Sequence, residues 1–182
     1  MGVGKIAQDF ATKNGYNTIQ NLTGHQISRN KIHCGLSVPN YNNSDKRKIV
    51  DNMEIAIEPY FTLGAPRIKD KGDSNILQLV STRNVRDPVA KKVLDYIKNY
   101  YPAPPFSKRW LVKDVIDEIY PNSSYSKEAF SMQEIRRVVK FLKMNKAIEE
   151  YSALLTVDRA INSQFEDTVV FVDGKKSVIT RL

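Results

Sequence analysis

Met53-Glu54-Ile55-Ala56-Ile57-Glu58-Pro59 and Gln164-Phe165-Glu166-Asp167-Thr168-Val169-Val170-Phe171-Val172-Asp173-Gly174 are the two stretches that decide the fold. The first alternates: Met53, Ile55 and Ile57 on one side, Glu54, Ala56 and Glu58 on the other. It is entered by a turn at Val50-Asp51-Asn52 and closed by Pro59, so it reads as a strand. In the second, the β-rich run from Phe165 to Asp173 turns at Asp173-Gly174 and returns over Ser177 to Thr180, the pattern of a hairpin. Between the two lies a block with helical periodicity. Strands on both sides of a helical block predict an α+β chain whose first and last parts share one sheet system, residues 1–82 and 160–182, with residues 83–159 inserted.

Working outward, Val3, Ile6, Ala7, Phe10 and Ala11 recur at helical spacing, and Asn14-Gly15 stops them, so the chain opens on an amphipathic helix that needs a partner surface. The polar stretch from Asn21 to Asn43 holds Gly24, Gly35 and Pro39, which suits short strands and turns. In the insertion, Asp87-Pro88 is an N-cap with proline behind it, leading into Val89, Val93, Tyr96, Ile97 and Tyr100. Pro102, Pro104 and Pro105 stop that helix, and Val112, Val115, Ile116 and Ile119 predict a second. Ser131-Met132-Gln133-Glu134 has the form of a capping box ahead of Ile135, Val138, Val139 and Leu142. Three helices followed by an expected hairpin over Ile148 to Val157 resemble a small winged-helix unit.

Composition limits the function classes. The chain has 182 residues, 28 Lys+Arg against 20 Asp+Glu and one cysteine, with 41% hydrophobic and 26% charged residues. These proportions are those of a globular protein with a sizeable core, not of a disordered, collagen-like or membrane chain. The single Cys34 excludes an intramolecular disulfide framework and a cysteine-based zinc finger, and favours a cytoplasmic setting. No secretory leader or apolar run of membrane-spanning length is visible, so no membrane partner is expected. A net charge of +8 suits nucleic acid or an acidic protein, yet the lysines are dispersed instead of massed in one tail.

The two histidines, His25 and His33, stand eight positions apart. Histidine is a frequent metal ligand and proton carrier, which raises a site hypothesis, while on spacing alone two ordinary polar loop residues are the simpler reading. Glu58 and Glu166 occur in strand-like contexts that usually avoid charge. A carboxylate among β-branched residues must be paired, protonated, bound to a cation or turned to solvent at a strand end. Asp167 points to the opposite side from Glu166, which argues against a dyad, and His33 and Cys34 face opposite ways for the same reason. No GxSxG, P-loop or GxGxxG motif occurs.

Asn21-Leu22-Thr23-Gly24-His25, Ile32-His33, Val38-Pro39-Asn40-Tyr41, Ala56-Ile57-Glu58-Pro59, Pro105-Phe106 with Lys108-Arg109-Trp110-Leu111, and Gln164-Phe165-Glu166 together resemble the type 2 methionine aminopeptidases, archaeal ones above all. The resemblance runs over essentially the whole chain but covers only the C-terminal half of that family's pita-bread (creatinase/aminopeptidase) catalytic domain. It implies a winged-helix-like insertion between two metal-binding glutamates, where residues 83–159 lie. By the same resemblance His25, Glu58 and Glu166 are metal ligands, Glu58 also shuttles protons, and His33 contacts the substrate. Ile32, Tyr60 and Tyr151 fall at substrate-pocket positions, and Asn75 stands where some members have a further histidine. The implied activity is metal-dependent removal of the N-terminal methionine from nascent proteins, with two divalent ions (Co, Mn, Fe or Zn). The family's two metal-binding aspartates and catalytic histidine lie upstream of the Gly-His motif, and only 24 residues precede His25, so three of five ligands are expected here. The expected partner is an N-terminal half, in a split enzyme or a truncated one, without which the chain is inactive. The competing reading is a catalytically inactive module of this family that binds RNA, the ribosome or a protein.

Overall fold

The computed structural model describes residues 2–119 and 127–181. It divides into two compact units, residues 1–71 with 154–182, and residues 72–153.

The first unit opens on helix α1 (Val3–Lys13), as the periodicity predicts. Ala11 is buried, but Ile6 and Phe10 remain largely exposed, Phe10 resting its ring 5.9 Å from Phe61. Two of the five residues of the apolar stripe expected to be covered are therefore bare. Strand β2 (Thr23–Ser28) and strand β3 (Lys31–Pro39) form a hairpin, followed by β4 (Met53–Ile57) and, near the end of the chain, β10 (Asp167–Val172) and β11 (Lys175–Val178). These make a five-stranded antiparallel sheet in the order β11-β10-β4-β2-β3. The first and last parts do share a sheet. Ile55, Ala56, Val38 and Val169 are its buried apolar contribution. A second small sheet joins β1 (Asn17–Thr18), β5 (Tyr60–Thr62) and β9 (Asn162–Gln164).

The second unit is built from most of β6 (Ile68–Leu79) and β8 (Ile148–Thr156), with α2 (Pro88–Tyr100), β7 (Phe106–Ser107), α3 (Lys108–Ile119) and α4 (Lys127–Met144), and its sheet has the order β7-β6-β8. Asp87 caps α2 by accepting from the Ala90 N–H at 2.8 Å, and Pro88 at N1 loses no helical bond. Ala90, Val93, Leu94 and Ile97 face a core with Leu77, Phe106, Leu111, Val138 and Leu142. Tyr100, expected on that face, is exposed and lies against Tyr96.

The structure departs from the expected pattern of this region at two places. Residues 148–156 form one strand beside β6, not a hairpin. The partner strand β6 was hidden because Lys69, Asp70, Lys71, Gly72 and Asp73 break any apolar alternation. The tetrad 131–134 lies inside α4, which starts four residues earlier; serine and glutamate are tolerable within a helix, so the box pattern does not force a start. The side chains of Ile116, Ile119 and Ser131 lie outside the described residues. Among the described residues no helix is long and apolar enough to cross a membrane.

The unit is stitched by Glu150, whose side chain is 1% exposed. It accepts from Lys108 Nζ at 2.5 Å and Lys143 Nζ at 2.8 Å, and Lys143 also reaches Asp73 at 2.8 Å. Glu150 on β8 thereby ties together α3 and α4. Removing one partner of a buried ion pair leaves uncompensated charge. Glu150→Ala is accordingly expected to lower the unfolding free energy of the helical unit by about 3 kcal/mol, read from urea melts as an earlier midpoint, with a smaller loss for Glu150→Gln.

Candidate functional site

Strand β4 runs between β2 and β10, and its register decides which side chains gather. His25 pairs with Ala56 on one side and Thr168 pairs with Ala56 on the other. Side chains repeat on a face every second residue, so Glu58 shares the face of His25. Asp167 pairs with Ile57, and the same antiparallel register resumes past Pro59, where Tyr60 pairs with Gln164. Continued through the gap, it sets Glu58 opposite Glu166. Proline has no N–H to give to the ladder, and the bond made there runs from the Phe165 N–H to the Pro59 carbonyl at 3.3 Å. The two glutamates thus meet at a break in an otherwise continuous ladder.

Around that break His25 Nε2 lies 3.0 Å from Glu58 Oε1. Glu58 is only 8% exposed. Its Oε2 accepts from the Tyr60 hydroxyl at 2.9 Å and from Gln164 Nε2 at 3.3 Å, and the same amide reaches Glu166 Oε2 at 3.3 Å. Glu58 Oε1 is buried with no hydrogen-bond partner; the imidazole is near it but not aligned to donate. His25 Nδ1 lies 3.4 Å from the Gln26 carbonyl. When Nδ1 carries the proton, a nitrogen lone pair confronts a carboxylate oxygen, an arrangement that calls for a proton or a cation between them.

Backbone shape enforces the approach. A Cβ on Gly24 would stand 2.3 Å from the Ala56 carbonyl oxygen, so only glycine lets β2 lie this close to β4 beside His25. The β2–β3 ladder shifts register between His25 and Ser28. Gly35 takes φ +54° there, and a Cβ on it would meet Gln26 Oε1 at 2.2 Å, the oxygen that accepts the Leu36 N–H. The bulged hairpin brings the His33 ring to 4.1 Å from that of His25. Desolvation and then the neighbouring His25 pull His33 below its ordinary pKa, with Glu58 opposing, which favours a neutral ring. Burial, and then the Glu58 charge, push the Tyr60 phenol far up, so it stays a hydrogen-bond donor. Burial pushes Glu166 above the ordinary carboxylate range; Glu58 adds to this, while His25 and Gln164 oppose it.

His25, His33, Glu58 and Glu166 are therefore brought together, with Tyr60 on the Glu58 carboxylate. Ile32 sits on β3 with its side chain alternating to the face opposite His33. Tyr151 and Asn75 belong to the second unit, where the Tyr151 hydroxyl donates to Gln78 at 2.8 Å. Sequence reasoning gave Gln164 no role of its own; its position two residues before Glu166 was the available signal that both face one way. Asp167 turns away and pairs with Arg181. A cleft of about 140 Å³ beside α1, lined by Gly4, Tyr41 and Arg47 among others, does not include these residues.

Imidazole and carboxylate are donors suited to divalent transition ions, and the orphaned Glu58 oxygen is a donor without a partner. The residues fit a metal in kind. Among the described residues, however, no three His, Cys, Asp or Glu side chains close around one point as a complete metal site would.

Residues 2–83 match the model of metallopeptidase family M24. The methionine aminopeptidase of Methanocaldococcus jannaschii is 37% identical over 121 residues, 66% of this chain and 41% of that protein. That of Thermococcus onnurineus is 32% identical over 98% of this chain and 55% of its own length. The chain thus spans about half the length of the curated relatives it matches. Among solved structures, a thermophilic Arx1 superposes with a TM-score of 0.70 at 14% identity, covering 97% of this chain and 44% of the other, a likeness of fold alone.

A carboxyl with a raised folded pKa stabilises the fold at acid pH, and that contribution is lost as the pH rises through the folded value. In a carbon-13 NMR titration of the metal-free protein, Glu166 is expected to titrate above the exposed carboxylates. Glu58→Gln should bring it only part of the way down, since burial is the larger cause. A Glu166 midpoint in the ordinary range would contradict the geometry.

Proposed function

Because the chain is a partial pita-bread domain that matches metallopeptidase family M24 and the archaeal methionine aminopeptidases, we propose that it is one half of a metal-dependent methionyl aminopeptidase. The observation that carries this reading is the buried, unpartnered Glu58 Oε1 facing His25 Nε2 at 3.0 Å, with Glu166 tied to the same carboxylate through Gln164. His25, Glu58 and Glu166 would hold divalent metal, and the remaining ligands come from an N-terminal half. Bound there, divalent ions supply Lewis acidity for a peptide carbonyl and lower the pKa of water toward about 7.

The protein's own groups divide the remaining roles. Tyr60 and Gln164 donate to one oxygen of Glu58, which holds the carboxylate in place and leaves the other oxygen free. Glu58 carries a proton from the attacking water to the departing amine. His33, held neutral beside His25, donates a hydrogen bond to the carbonyl oxygen as charge develops on it. The substrate is the amino terminus of a nascent peptide that begins with methionine. Tyr60 acts through Glu58, to which its hydroxyl donates.

Mixing the chain with an N-terminal half that carries the family's two metal-binding aspartates, plus Co or Mn, is expected to release methionine from a Met-Gly peptide. Glu166→Ala should abolish that release. A metal-free, inactive complex that binds RNA would overturn the proposal in favour of a non-catalytic binding module.

A further inference from the structure

Glu166 belongs to neither strand beside it, since β9 ends at Gln164 and β10 begins at Asp167. Its neighbours are instead gripped by the segment after β11. The Ile179 N–H donates to the Thr168 carbonyl at 2.9 Å, and the Thr168 N–H donates to Thr180 Oγ1 at 3.1 Å. The Thr180 hydroxyl in turn donates to Asp167 Oδ1 at 2.8 Å. Arg181 completes the clamp. Its Nε donates to Asp167 Oδ2 at 2.7 Å, its Nη2 donates to the same oxygen, and its guanidinium lies 5.6 Å from the centre of the Phe165 ring.

One side chain thus reaches both residues that flank Glu166, by ion pairing with one and by setting its charge over the ring of the other. Asp167 alternates to the face opposite Glu166, so Arg181 acts on the Glu166 backbone without reaching its carboxylate. A guanidinium suits both contacts, because it is planar enough to cover a ring while its edge donates to a carboxylate. The Arg181 side chain is 64% exposed, so water screens its pairing with Asp167 and the pair contributes little to global stability. A group that orients a metal ligand can nonetheless change metal affinity strongly, because the ligand must be held where the ion needs it.

We propose that Arg181 is a positioning residue for the metal site: through Asp167 and Phe165 it fixes the backbone at the ladder break and so aims Glu166 toward Glu58 and His25. The inference rests on Glu166 being a ligand as proposed above. It predicts that metal affinity is more sensitive to Arg181 than folding is.

The test is calorimetric titration with Mn²⁺ of the chain assembled with the N-terminal half, alongside thermal melting, for wild type, Arg181→Ala, Arg181→Lys and Glu166→Ala. Arg181→Ala is expected to weaken Mn²⁺ binding about 10-fold while melting close to wild type. Arg181→Lys, which keeps a cation for Asp167 but not the two-nitrogen grip of the guanidinium, should recover part of the loss. If Glu166→Ala loses binding but Arg181→Ala stays within about twofold of wild type, the positioning role is wrong and the ligand assignment stands. If wild type takes up no Mn²⁺, or Glu166→Ala binds it unchanged, the ligand assignment fails and the positioning role falls with it.

Discussion

One antiparallel register, Asp167 against Ile57 before Pro59 and Gln164 against Tyr60 after it, governs the candidate site. Sequence separation between the two glutamates is more than a hundred residues, and the register makes them neighbours. Proline at the break keeps the ladder from closing over them, and the two-residue repeat of the strands turns both toward His25. A slip of one residue would send each carboxylate to the opposite face.

The electrostatics follow from that placement. Burial makes Glu166 resist ionising, and the neighbouring Glu58 carboxylate adds to that resistance. Tyr60 and Gln164 occupy one oxygen of Glu58 and leave the other bare. Leaving a buried acceptor unsatisfied is costly, typically about 1–3 kcal/mol, so such an atom persists where a function needs it. The helical unit is held by separate means, an apolar core and the Lys108–Glu150–Lys143 ion pairs.

Much of this was readable from residues 53–59 and 164–174. Alternation marked β4 and β10, and Asp173-Gly174 marked the hairpin. Asp87-Pro88 marked the start of α2, because capping and proline geometry are local. What was hidden is non-local. The charged first half of β6 is a strand by virtue of its pairing, not of its own pattern, and the run 148–156 needed that partner to be read as one strand. His25 and His33 could not be joined from spacing alone, since their approach depends on the bulge at Gln26 and Gly35. The motif resemblance pointed to His25, Glu58 and Glu166, but the role of Tyr60 on the Glu58 carboxylate required coordinates.

The proposed ligand set is most directly tested by anomalous diffraction at the cobalt edge from crystals of the protein grown with Co²⁺. A metal bound as proposed gives a peak bounded by His25 Nε2, Glu58 Oε1 and the Glu166 carboxylate, and the peak disappears in Glu58→Gln. Cobalt found only elsewhere on the molecule, or an empty cluster at saturating Co²⁺, would contradict it.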